Sequence, residues 1–186
     1  MKKLISAYPL NFSATEKKVV FGLFIVLWTF LFIRAIYVPV LHDEIATFFY
    51  YIQSDNYMPP KAHWDANNHV LNSMLANITY HLFGSSPLSL RLPNVFSYAL
   101  FFYGVYQLAG RLKTQMLRWG LLLSLVGSHY LFEYFGECRG YGIAMALFIL
   151  AIYHVIRFKE SGQRKHLLFV IGLLFLATSS NLTLII

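Results

Sequence analysis

Charge is scarce in this chain. Only 12% of its 186 residues are Asp, Glu, Lys or Arg, against roughly 25% in an ordinary soluble domain. Hydrophobic residues make up 58% and aromatics 18%, and the mean hydropathy is +0.55. Such a composition excludes a water-soluble globule built on one buried core. It describes a multi-span membrane protein, whose aromatics suit helices that meet lipid and headgroups. Cysteine is scarcer still. The single Cys138 excludes an internal disulfide and reads as a small residue at a helix end. The net charge of +7 raises nucleic acid as a partner, but the basic residues sit in short clusters between apolar runs. That distribution reads as a topology signal, so no nucleic acid is expected.

A cleavage pattern is also missing. The apolar run 19–41 has 23 residues, longer than the ~7–15-residue core of a signal peptide, and no small-x-small site follows it. It reads as an anchor. A helical span needs about 20 apolar residues, and five candidates emerge at about 19–41, 88–109, 116–135, 140–158 and 167–186. The sequence therefore predicts an all-α, polytopic transmembrane protein. Pro87 and Pro93 mark the start of the second span, where a missing N–H costs least.

Orientation follows from lysine and arginine. With the N-terminus cytoplasmic, Lys2, Lys3, Lys17, Lys18, Arg111, Lys113, Arg118, Arg157, Lys159, Arg164 and Lys165 lie inside, eleven against four. The four are Arg34, Lys61, Arg91 and Arg139. Carboxylates are biased the other way: Asp43, Glu44, Asp55, Asp65, Glu133 and Glu137 lie outside, leaving Glu16 and Glu160 inside. The positive-inside rule does not demand that second asymmetry, and a functional outer surface would explain it.

The outer loop 42–87 is too long for a simple turn. Within it, "NNHVLNSMLANITYHLF" is an amphipathic, interfacial helix by its spacing. Val70, Leu71, Met74, Leu75, Ile78 and Leu82 form the apolar face. His69, Asn72, Ser73, Asn77 and His81 form the other, toward water or a cavity. Residues 44–52 predict a second short helix, with Ile45, Phe48, Phe49 and Ile52 toward lipid. The last span is interrupted by the polar run "TSSNLT" and then stops, which predicts both a protein-lining half-helix and a chain continuing beyond Ile186.

The chemistry-bearing groups are few. In His42-Asp43-Glu44 one carboxylate can cap a helix, for about 1 kcal/mol, but the second lacks that reason. Ionisable groups at a membrane edge are functional candidates. With His63, Asp65 and His69 these side chains offer ligands for a divalent metal ion, although no spacing matches a compact metal motif. "EYFGECRGYG" joins the third and fourth spans. There Glu133, Glu137 and Arg139 form either a structural salt bridge or, through the guanidinium, an anion site. Arg34 either snorkels outward or pairs with a carboxylate.

The order of "DE", "ANNHVLNSML", "LFGSSPLSLRLPNVFSYAL" and "ECRGYGIAMALFIL" resembles the N-terminal part of membrane glycosyltransferases of the GT-C fold, nearest to the protein-mannosyltransferase-like enzymes (glycosyltransferase family 39-like). His69 stands at the histidine of a His-Pro-Pro stretch in many members, with Val70 and Leu71 in place of the prolines. The resemblance implies sugar transfer from a polyprenyl-phosphate donor to an acceptor glycan, lipid or protein, at the outer face of the plasma membrane. Such enzymes have about twice as many spans, so the chain looks like an incomplete catalytic unit. Asp43 would be the base or acceptor-orienting carboxylate, and Glu44 its support or a metal ligand. Arg139 would meet the donor phosphate, with Glu137 and Tyr141 completing a Glu-x-Arg-x-Tyr pattern and His69 in the substrate region. The competing class is a non-catalytic transporter or lipid flippase, against which stand the absence of an internal repeat and the long outer loop.

Overall fold

The computed structural model describes residues 10–63, 65 and 67–181, which form helices and no strand. Lys2, Lys3 and the last five residues of the fifth expected span lie outside this set.

Helix α1 (Ala14–Tyr37) begins five residues earlier than the apolar run because Ser13 and Glu16 form a reciprocal capping box. It ends before Pro39, which forces Val38 into an extended conformation. Helix α2 (His42–Thr47) follows and continues into a π-helical turn, Phe48–Ile52. Phe49 and Ile45 face outward as expected, but Ile52 is fully buried. It packs on Ala76 and Leu90.

Helix α3 (Val70–Phe83) has its polar face inward. His69, Asn72, Ser73 and Asn77 are buried, whereas Ile78 and Leu82 are exposed. The buried amides are used: Asn94 Nδ2 donates to Asn72 Oδ1 (2.6 Å), and Asn77 Nδ2 donates to the Ile52 carbonyl (2.8 Å). Polar groups inside and apolar ones outside invert the pattern of a soluble helix.

Helix α4 (Pro87–Ala109) is the axis of the bundle, packed by α1, α3, α5 and α7. Ser86 caps it and Pro87 occupies its first turn. Pro93 lies deeper than the sequence suggests, inside the helix rather than at its start. The expected third span is broken: α5 (Gln115–Val126) stops at Gly127-Ser128, and α6 (His129–Glu133) restarts beyond it. The Tyr98 hydroxyl reaches the Val126 carbonyl freed by that break (3.4 Å).

Helices α7 (Tyr141–Ser161) and α8 (Lys165–Ser180) form a closely packed hairpin, with Gly162 in the left-handed conformation (φ 66°) at the corner. Helix α8 buries His166, Ala177 and Ser180 while Leu168, Ile171 and Phe175 stand about 70% exposed. Helix α7 buries Gly142, Ala144, Ala146 and Ala151 with only two larger aliphatics. Small residues therefore dominate the buried face of α7 and large ones the periphery of α8, whereas the central α4 buries Val95, Tyr98, Phe101 and Phe102. Helices α1 and α7 are long and apolar enough to cross a membrane; α5 and α8 are apolar but have 12 and 16 residues.

Candidate functional site

The arginine–carboxylate pairs divide between the two ends of the bundle. At one end Arg118 meets Glu16 (3.1 Å), and Arg111 and Arg157 meet Glu160 (2.8 and 3.2 Å). At the other, Arg34 meets Glu133 (3.0 Å), Arg91 meets Glu44 (2.6 Å) and Arg139 meets Asp43 (2.8 Å). The second end gathers the residues singled out from the sequence.

Its foundation is a buried lock. Glu44 and Arg91 are 0% and 1% exposed. Glu44 Oε1 accepts from Arg91 Nε (2.8 Å) and the Cys138 backbone N–H (2.6 Å), while Oε2 accepts from Arg91 Nη2 (2.6 Å) and the Leu41 N–H (2.8 Å). Arg91 spends its remaining donors on the carbonyls of Ala35, Val38 and Pro39. Ala35 lies in the last turn of α1 and Val38 and Pro39 follow it, so the guanidinium also closes that helix. Every site on both groups is used. Glu44 thus ties α1, α2, α4 and the 134–140 turn together, and its filled coordination leaves no lone pair for a metal ion or a substrate proton. Among the described residues no three His, Cys, Asp or Glu side chains are grouped to hold a metal. The ligand set considered from sequence (His42, Asp43, Glu44, His63, Asp65, His69) is therefore not assembled. Arg91 is the residue that sequence reading did not single out. A charge five residues into an apolar helix needs a partner, and that signal was present.

Above the lock sits the open part. Asp43 is on the first turn of α2, its side chain 41% exposed, with His42 Nδ1 3.6 Å from Oδ1. Arg139 meets Oδ2 with Nη1, while its Nη2 donates to Asn67 Oδ1 (3.2 Å) and to the Tyr141 hydroxyl (3.4 Å). The guanidinium lies 4.9 Å over the Tyr141 ring. His69, at the start of α3, packs edge-on against the same ring at 5.1 Å, and its Nδ1 lies 3.0 Å from the Ser180 carbonyl. Burial, then the charge of Arg139, lowers the His69 pKa to about 4, so the imidazole is neutral at pH 7. Ser180 also donates from Oγ to the Gly140 carbonyl (2.8 Å), so the polar end of α8 lines this interior as expected.

Glu137 is half-buried, and burial followed by the charge of Glu44 raises its carboxyl above the usual range. Cys138 is fully buried beside Asn72, and burial pushes its thiol up to about 12. Gly140 is required by contact: a Cβ there would lie 1.8 Å from the Ser180 carbonyl and 2.8 Å from His69 Cβ.

The structure thus brings Asp43, Arg139, Tyr141 and His69 into one cluster, places Glu44 beneath it as a holding group, and leaves Glu137 alongside without an ion pair. These features define an all-helical bundle with a buried arginine–carboxylate lock under a partly open acid–base cluster. No protein-family model, no curated protein and no solved structure matches the chain.

Proposed function

We propose that the chain is part of a polytopic membrane glycosyltransferase that moves a sugar from a polyprenyl-phosphate donor to an acceptor hydroxyl at the outer face. The observation that carries this reading is the direct contact of Asp43 with Arg139, between a candidate base and a candidate phosphate-binding group. The membrane setting is supported by the many large apolar side chains exposed along α1, α7 and α8, among them Phe21, Val26, Phe30, Val155, Leu168 and Phe175. It is also supported by the ion pairs, each of which joins groups that the expected order of spans puts on the same side.

The chemistry follows from competition for one guanidinium. Asp43 is held by Arg139. A donor phosphate offers the planar, bidentate partner that arginine prefers, draws Arg139 toward itself and releases the carboxylate. The acceptor oxygen then attacks C1 of the sugar while its proton passes to Asp43. The C1–O bond to phosphate breaks, and its electron pair leaves on the phosphate oxygen facing Arg139. Inversion at C1 is implied by the family resemblance. General-base assistance of this kind contributes about 10²–10⁴-fold, and a fixed cation on the leaving group about 10²–10³-fold.

The test is transfer of a labelled sugar from a polyprenyl-phosphate donor to a water-soluble acceptor by the full-length protein in lipid bilayers. Covalent label in the acceptor is expected. Movement of the labelled donor across the bilayer without covalent transfer would replace this reading with a lipid carrier.

A further inference from the structure

Seven buried side-chain polar atoms among the described residues have no hydrogen-bond partner; two of them, His69 Nε2 and Arg139 Nε, belong to side chains that pack on the same Tyr141 ring, and two more, Asn68 Oδ1 and Ser73 Oγ, lie within four residues of His69 along the chain. Buried orphans are rare because each forfeits the hydrogen bonds that water would give it. Their concentration at the start of α3 and on Arg139 calls for a ligand. Its chemistry can be read from the atoms themselves.

The tautomer of His69 is fixed by its neighbour. A carbonyl oxygen only accepts, so the 3.0 Å contact with Ser180 places the proton on Nδ1. Nε2 is then a bare lone pair on a ring 96% buried, since the residue is 4% exposed. Asn68 Oδ1 is likewise an acceptor; Arg139 Nε is a donor; the Ser73 hydroxyl is either. A ligand that meets both the His69 Nε2 lone pair and the Arg139 Nε–H must therefore both accept and donate. Phosphate oxygens at neutral pH mainly accept, and an amide N–H only donates. A hydroxyl does both from one atom, and a sugar carries several.

We propose that His69 is the sugar-hydroxyl-binding residue of this site, its Nε2 accepting a hydrogen bond from a hydroxyl of the donor sugar or of the acceptor. This rests on the glycosyl-transfer reading and adds a ligand contact to it. His69 is thereby separated from the phosphate, which is left to Arg139. The charged and titratable groups facing His69 are Arg139, Asp43 and Tyr141, none of which supplies Nε2 with a partner.

The test uses His69→Asn in the full-length protein in lipid nanodiscs. The Asn amide can still donate to the Ser180 carbonyl from the place of Nδ1, but it lacks Nε2. Binding is measured for farnesyl phosphate, farnesyl-phosphoryl mannose and octyl mannoside. Farnesyl phosphate should bind the variant as it binds the wild type. A tenfold or greater loss for farnesyl-phosphoryl mannose assigns the hydroxyl to the donor, and the same loss for octyl mannoside alone assigns it to the acceptor. Unchanged affinity for both sugars overturns the proposal. So does ¹⁵N NMR of the imidazoles, independently of any variant, if His69 carries its proton on Nε2. Failure of all three probes to bind the wild type overturns the transfer reading itself, and this proposal with it.

Discussion

Glu44→Gln changes one oxygen to an amide at a position with no contact to solvent. The carboxylate accepts four hydrogen bonds, two from Arg91 and one each from the N–H groups of Leu41 and Cys138. Glutamine keeps one accepting oxygen and turns an NH₂ toward donors on the other side, leaving Arg91 as an uncompensated buried charge. Breaking a buried pair from one side costs about 3–5 kcal/mol. For a chain of this length each kcal/mol is worth about 2–4 °C, so the melting temperature should fall by about 6–20 °C. Arg91→Met should cost a similar amount, because it strands Glu44 and three carbonyls of the α1 terminus. Glu44→Gln/Arg91→Met together should lose much less than the sum, since neither charge is then left alone. The assay is a double-mutant cycle by reversible thermal unfolding in one detergent. Additive losses would refute the lock. A Glu44→Gln protein that melts like the wild type yet transfers no sugar would return Glu44 to the chemistry.

Gly140→Ala drives a methyl group into the Ser180 carbonyl; the hairpin contact of α8 must open, and a clear drop in melting temperature is expected, whereas an unchanged one would contradict the close approach. Glu137 tests pH linkage. Its carboxyl is raised, so the stability it contributes is present below the ordinary Glu value of 4.5 and is lost as pH rises through the higher folded value. Glu137→Gln should therefore melt above the wild type at neutral pH and with it near pH 4; a variant less stable at pH 7 would mean that the charge is paired. Cys138, with its thiol held near 12 and fully buried, should resist maleimide in the native protein and react on unfolding; rapid native labelling would show that the turn opens.

Much of the helical layout was legible because apolar runs and breakers act locally. Spans 88–109 and 140–158 fall within a few residues of α4 and α7. The start of α1 depended on the Ser13–Glu16 box, which the charged residues Lys17 and Lys18 concealed from a hydropathy reading. The break at Gly127-Ser128 was written in the sequence as a helix-breaking pair but masked by apolar residues on both sides. The polar stripe of α3 was legible as a stripe; its inward direction was set by partners 22 positions away, namely Asn94 from Asn72 and Asp55 from Asn77. In the candidate site, acidic bias and motif order led to Asp43 and Arg139, whose contact spans 96 positions. What no local pattern could supply was the choice between the two adjacent acids. Helix periodicity sends neighbours to different faces, so Glu44 turned inward to Arg91 while Asp43 faced out. Ser180, which fixes the His69 tautomer, acts through a backbone carbonyl and leaves no side-chain signature.

The central claim is that Asp43 receives the acceptor's proton while Arg139 holds the phosphate. It is tested most directly by sugar transfer with Asp43→Asn in the full-length protein, reconstituted in lipid, at saturating donor. The account predicts a fall in kcat of about 10²–10⁴-fold, with donor affinity retained or increased because Arg139 loses its competitor. Transfer by Asp43→Asn at a near-normal rate would contradict it.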